Sequence, residues 1–244
     1  MISKIFNKIL KVIFPPKCVL CDKIVEDEDS LCSDCWKKIK FIKRPFCNKC
    51  STPFEFKVSD DDICLSCMKN KPLYIKSRSA VVYDSEVSKI IFKFKFHDKL
   101  HLKRFMGKCM CRASSDIIDD IDILIPIPLH KKRLIYRKYN QSLLLANEIA
   151  KNSGKIVIHD FLYKTKHTVP QASLKQSERQ TNLKNKFAIN PKYLNDIEKY
   201  KNLGFAIVDD VITTGSTVNE CIKILNKAGI NKVYSISFAK TVIK

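Results

Sequence analysis

The chain has 244 residues, with 45 Lys and Arg against 25 Asp and Glu for a formal net charge of +20, and 11 cysteines. That length suits one α/β domain of ordinary size plus a smaller module, and no apolar run approaches the roughly 20 residues of a membrane-spanning helix. The charge favours polyanions, nucleic acid above all, although nearly all of it is lysine in the company of many Ile and Asn, a mixture that an AT-rich genome produces unselected. Arginine appears only at Arg44, Arg78, Arg104, Arg112, Arg133, Arg137 and Arg179. At the N-terminus, MISKIFNKILKVIF sets Ile2, Ile5, Phe6, Ile9, Leu10 and Ile13 on one helical stripe with Lys4, Lys8 and Lys11 off it. This predicts an amphipathic helix packed on its own protein; a continuous signal core and a small-residue cleavage site are both missing from it. A cytoplasmic protein is expected.

Eight of the cysteines form four Cys-x-x-Cys pairs: Cys18/Cys21, Cys32/Cys35, Cys47/Cys50 and Cys64/Cys67. Such a turn puts two thiolates on one side of a tight knuckle, half of a tetrahedral zinc site. Two tandem four-cysteine sites, a double zinc ribbon, follow. A disulfide framework would need an exported chain, and redox pairs would need a βαβ setting that this Pro- and Asp-interrupted stretch lacks. Sequential pairing closes the shorter loops at lower entropic cost; a cross-brace in which the first and third pairs share a metal stays open. The module has little apolar material, so two structural Zn2+ ions hold it together. Trp36, Phe41, Phe46, Phe54 and Phe56 are its expected mini-core, with base stacking as their other possible use. Four thiolates leave the metal no open position for catalysis. Cys109, Cys111 and Cys221 read as buried structural thiols.

Residues 69–78, KNKPLYIKSR, mark a boundary by charge and proline, and divide the chain into 1–72 and 73–244. A strand is predicted from Ser79 to Tyr83. Residues 86–112 read as helical, with Val87, Ile90, Ile91 and Phe94 on one face, then Leu100, Leu102, Phe105 and Met106; the intervening FKFKFHDK alternates like a strand. Lys93, Lys95, Lys99, Lys103 and Arg104 make this the most concentrated basic and aromatic stretch, either a solvated face or a polyanion contact. His97 and His101 lack a third ligand and are not read as a metal site. A buried strand from Ile121 to Ile127 stops at prolines and releases His130, Lys131, Lys132 and Arg133, cations suited to a pyrophosphate. Arg137, Asn140 and Gln141 then precede a helix carrying Leu144, Leu145 and Ile149.

The chain is organised around LGFAIVDDVITTGSTVNE, residues 203–220. An apolar run ends in Asp209 and Asp210, followed by Val211, Ile212 and the loop Thr213-Thr214-Gly215-Ser216-Thr217. Val218, Ile222 and Leu225 at helical spacing and Gly229 at a helix end complete a strand–acid–loop–helix unit. Helix N–H groups, a glycine and hydroxyls suit a phosphate, while the acids suit ribose hydroxyls and, through water, Mg2+. This segment resembles the signature of the type I phosphoribosyltransferase fold, which binds phosphoribosyl pyrophosphate (PRPP). The fold class expected is therefore α/β, a parallel sheet with helices on both faces, plus the small N-terminal zinc ribbon.

P-L-H-x-x-R-x-x-x-R-x-x-N-Q before a helix, then Thr168-Val169-Pro170-Gln171-x-x-Leu174, Arg179, Asn182-Leu183 and Phe187, resembles the ComF family of competence proteins, and the cysteine module fits the same pattern. Two positions depart from it: Lys138-Tyr139 where glycine and phenylalanine are usual, and His97 where glycine is frequent. The resemblance implies binding of PRPP with Mg2+ by Asp209, Asp210, Thr213, Thr214, Gly215, Ser216, Thr217 and Lys95, with Arg133 and Arg137 toward the pyrophosphate. It implies a mobile loop from Thr165 to Asn182 in which Gln171 and Arg179 reach the ligand. It further implies single-stranded DNA and competence or helicase proteins as partners, in DNA uptake at the inner face of the membrane. A nucleobase phosphoribosyltransferase of salvage, and a nucleic-acid-binding regulator that keeps the fold without the chemistry, are the competing functions. No catalytic base is identifiable, so enzymatic activity is left open.

Overall fold

The computed structural model describes residues 14–56, 59, 62–96, 99–165 and 187–242. The amphipathic stretch 1–13, His97, the side chains of Lys131 and Lys132, and 166–186 with Gln171 and Arg179 lie outside the described residues. Five parallel strands form the main sheet in the order β1-β7-β6-β2-β3. They are β1 (Ser77–Val82), β2 (Ile123–Pro126), β3 (Ile156–Val157), β6 (Phe205–Ile212) and β7 (Val233–Lys240). A small antiparallel pair, β4 (Leu162–Lys164) and β5 (Phe187–Ile189), stands beside it.

The central strands are rich in β-branched residues and buried on both faces, as a parallel sheet demands. Ala206 and Val208 of β6 face one apolar cluster together with α3 (Ser85–Phe96), α4 (Leu102–Ala113) and α6 (Gln141–Ser153). Phe205 and Ile207 face the other, with Val218, Ile222 and Leu225 of α7 (Ser216–Lys227). The stretch 86–112, read as helical with an alternating segment between its two stripes, is two helices. Val87, Ile90, Ile91 and Phe94 form one buried stripe and Leu102, Phe105, Met106 and Met110 another. Between Phe94 and Leu102 no described residue is buried, so nothing holds the two stripes in one continuous helix. β1 likewise begins at Ser77, inside what the sequence marks as a boundary.

The cysteine module, with α1 (Ser33–Lys38) and α2 (Leu65–Lys69), wraps the β1 edge of the sheet. Ile42 N–H donates to Ala80 O (2.9 Å) and Val82 N–H to Lys40 O (2.8 Å), with Phe41 and Val81 in antiparallel register. An otherwise open edge is thereby paired. Its buried residues have no separate core: Cys18, Val19, Leu20 and Ile39 join the cluster of α3 and α4, while Cys47, Cys50 and Cys67 join that of α7. The expected aromatic mini-core is only partly realised. Trp36 stacks on Phe41 with centroids 4.4 Å apart yet is 47% exposed, and Phe56 is 77% exposed. Phe46 lies beneath the guanidinium groups of Arg44 and Arg78.

Candidate functional site

Both cysteine clusters are assembled. The thiols of Cys18, Cys21, Cys32 and Cys35 lie within 4.8 Å of one another, as do those of Cys47, Cys50, Cys64 and Cys67. Pairing is therefore sequential, and the cross-brace is excluded. Within the second cluster Cys47 and other neighbours hold the Cys50 thiol down to about 4 against its burial, and Lys240 adds to this. In the first, burial opposes ionisation of Cys18, but N–H groups of Cys32, Cys21 and Leu20 outweigh it and bring it to about 6. Burial pushes Cys35 and Cys67 the other way, and the neighbouring Cys50 raises Cys47, so each cluster shares its charge unevenly until a metal displaces the remaining protons. Four cysteine sulfurs to a cluster are the donor set of a closed structural zinc site.

A second site opens at the C-terminal ends of β2 and β6, where open α/β sheets bind ligands. The backbone brings it together from four directions. β6 does not end at Val208: its pairing with β7 continues through Asp209–Ser237, Val211–Ala239 and Ile212–Lys240. Asp209 and Asp210 are thus held inside a strand, with Asp210 buried, rather than at an exposed corner. Beyond them Gly215 caps α7 in the left-handed conformation (φ 73°), and the Thr214 and Ser216 hydroxyls lie 2.7 Å apart. After β2, α5 (Lys131–Arg137) carries Arg133 and Arg137. Asn140 then caps α6, accepting from Ser142 N–H at 3.0 Å, and its own amide donates to Ile127 O at 3.1 Å.

That cap plants Gln141 and Ser142 at the cleft. Ser142 Oγ donates to Asp209 Oδ1 (3.0 Å), and Asp210 N–H donates to the same oxygen (2.9 Å). Arg137 donates to Gln141 Oε1 at 3.3 Å. From α3, Lys95 Nζ pairs with Asp210 Oδ2 at 2.5 Å. Burial, then the charge of Asp210, pushes the Asp209 carboxyl up to about 7, opposed by Lys95, the Asp210 N–H and Ser142. Burial and the neighbouring Arg137 lower the Arg133 guanidinium from its ordinary value. Two like-charged guanidinium groups held together favour an anion.

Of the residues singled out in the sequence, Lys95, Arg133, Arg137, Asp209, Asp210, Thr213 and Thr217 all line this one cleft, of about 360 Å³. Thr214, Gly215 and Ser216 form the turn between the last two. Sequence reasoning gave no role to Ser142, Tyr83 and Lys164, and placed Phe187 only within the ComF pattern; all four line it too. Ser142 had a signal in its place two residues after a capping Asn; the others come from distant elements. The basic stretch that runs from α3 into α4 is not a solvated lysine face. Lys93 Nζ donates to Leu20 O (2.7 Å), Lys95 binds Asp210, and Lys103 reaches Glu148 at 3.7 Å. Cys221 is fully buried, whereas Cys109 and Cys111 are half-buried.

Residues 9–68 match the double zinc ribbon domain family model and residues 140–241 the phosphoribosyl transferase domain model. Fold and site therefore define a protein of the phosphoribosyltransferase fold that carries an N-terminal double zinc ribbon. Competence protein F of Haemophilus influenzae is 30% identical over 211 residues, covering 84% of this chain and 88% of the relative. Competence protein ComFC of Bacillus subtilis is 26% identical over 239 residues (90% and 92%), and DNA utilization protein YhgH of Salmonella typhimurium 25% over 218 (87% and 85%). The chain belongs to the ComF family of competence proteins. Among the described residues no helix is long and apolar enough to cross a membrane.

Proposed function

We propose that this chain binds PRPP with Mg2+ in the β2–β6 cleft and single-stranded DNA on its surface, and acts in DNA uptake or utilisation on the cytoplasmic side of the membrane. The observation that carries the reading is the convergence of the acid pair, the Thr213–Thr217 turn and the Arg133–Arg137 pair on one cleft of ligand size. The 5-phosphate sits on the turn and the first N–H groups of α7. Asp209 and Asp210 accept the ribose hydroxyls. Arg133 and Arg137 hold the pyrophosphate, and Lys95 turns to it from Asp210. Asp209 and Asp210 would hold Mg2+ through water, and the ion would supply charge neutralisation to the pyrophosphate. If the C1–O bond breaks, the same cations disperse the growing charge on the leaving pyrophosphate. The competence and DNA-utilisation names of the relatives support the DNA half.

Calorimetry with PRPP and with ribose 5-phosphate, both with Mg2+, tests the site. Arg133→Ala is expected to weaken PRPP at least tenfold and leave ribose 5-phosphate unchanged, because only PRPP carries the pyrophosphate. Equal losses would move Arg133 elsewhere; a well-folded wild type that binds neither ligand would leave the fold as scaffold alone. Pyrophosphate release assayed across free nucleobases separates the salvage reading, which robust turnover with one base would make primary.

A further inference from the structure

α3 presents a face that the phosphoribosyl cleft does not use. Its helical spacing buries Phe94 completely but turns Phe92 and Phe96 outward, 54% and 45% exposed, with ring centroids 5.1 Å apart. The Arg137 guanidinium lies over Phe96 at 5.2 Å from its centroid, while Arg137 also lines the cleft. Next to it on α5, Ile135 and Tyr136 are 80% and 77% exposed. The sequences of α3 and α5 contain seven Lys and Arg against one acid, Glu86, which pairs with Lys89, while Lys95 pairs with Asp210. Two outward rings in tandem, a guanidinium over one of them and a net positive field form a platform whose chemistry is specific. Rings offer π-faces to unpaired bases, and cations offer partners to phosphates.

We propose that Phe92, Phe96 and Arg137 form a stacking platform for a single nucleic-acid strand, running to the mouth of the cleft. The proposal rests on the DNA half of the function above, and places it on the rings of α3 rather than on Lys93, Lys95, Lys99 and Lys103. An apolar protein partner would be poorly served by a surface with so large an excess of basic over acidic residues. Duplex DNA keeps its bases stacked internally and has no use for exposed rings. A single strand uses both features at once.

The test is fluorescence anisotropy with a labelled oligonucleotide of mixed sequence, single-stranded and as duplex, with thermal melting as the check on fold. Phe92→Leu and Phe96→Leu keep apolarity and helix propensity but remove the π-face, and Phe92→Leu alone changes the more exposed position. Each is expected to weaken single-strand binding by about five- to hundredfold, with duplex binding unmoved and melting unchanged. Phe92→Tyr and Phe96→Tyr retain the ring and are expected to retain the affinity. Single-strand binding unaltered in the folded Leu variants would overturn the platform while leaving the DNA half of the function standing. A wild type that binds no single strand would overturn both. Co-sedimentation with phosphatidylglycerol vesicles, lost in the Leu variants while DNA affinity is unmoved, would overturn it in favour of a membrane surface.

Discussion

Asp209 and Asp210 are adjacent carboxylates with different neighbours, and the difference gives the cleft a pH dependence. Asp209 is held at about 7 by burial and by the charge of Asp210. Its pKa in the fold is thus above the unfolded value, so the fold binds a proton that the unfolded chain releases. The contribution to stability is fully present below about pH 4 and is lost as pH rises through 7. Binding a diol or a hydrated cation needs the ionised form, so affinity runs the other way. PRPP–Mg2+ affinity is expected to rise toward tenfold per unit between pH 5.5 and 7 and to flatten above it, by calorimetry across buffers of different ionisation enthalpy. Asp209→Asn should abolish that slope and raise the melting temperature at pH 8. A slope that survives the substitution would assign the titration to another group. The acid pair itself was legible in the sequence, as were both arginines, because cations and carboxylates at fixed offsets from a loop have few other uses together. The Ser142–Asp209 hydrogen bond was not, since it joins residues 67 apart in the chain.

The unit of β6, its turn and α7 shows where pattern reading stops at the scale of an element. A hydropathy run ends at Val208, yet the strand continues to Ile212, because a strand is ended by the loss of a pairing partner and β7 keeps pairing beyond the acids. Over 86–112 the reading found two apolar stripes with an irregular stretch between them, and the structure has two helices there. Periodicity records which residues face the core, so it located both stripes and left the form of the stretch between them open. Gly215 was legible, and the structure refines its role. A Cβ there would meet only Ile212 Cγ2, at 4.0 Å, so the protein leaves room and the demand is for positive φ. Gly215→Val is expected to cost about 1–3 kcal/mol in chemical denaturation through strain, and Gly215→Asn much less, since Asn tolerates the left-handed region. Both should weaken ribose 5-phosphate binding, because the added side chain stands beside the turn proposed to hold the phosphate. Full ligand affinity in folded Gly215→Val would remove this turn from the phosphate site.

At the scale of the whole molecule, the zinc ribbon is part of the sheet's support. Spacing made the cysteines readable as metal sites, but it carries no information about what the module packs against. Arg78 shows the difference. In the sequence it belongs to a charged boundary stretch; in the fold it is 1% exposed. It donates from Nε to Asp116 Oδ1 (2.9 Å), from Nη2 to Asp116 Oδ2 (2.6 Å) and from Nη1 to Asn48 O (2.9 Å), between the two cysteines of the third pair. A buried guanidinium with its donors so satisfied is tolerable, and it would be costly to strand. Lys49 Nζ donates to Ile75 O (2.8 Å) and Ser79 N–H to Ser51 Oγ (3.2 Å), so the second knuckle is tied to the start of β1. The first knuckle packs on α3 and α4 across the same edge. Metal analysis of protein purified without chelator is therefore expected to give two zinc ions per chain. Removing them should unfold more than the module, because it opens the β1 edge and strips both faces of the sheet at once. Structural zinc contributes about 10–16 kcal/mol per site in small zinc peptides, and a loss of even about 5 kcal/mol moves the midpoint of a domain this size by roughly 10–20 °C. Calorimetry of the native protein should show one cooperative transition, and Cys18→Ser and Cys47→Ser should each lower that whole transition. A chelated protein that keeps its main transition and loses only a small separate one would show that the sheet stands without the ribbon.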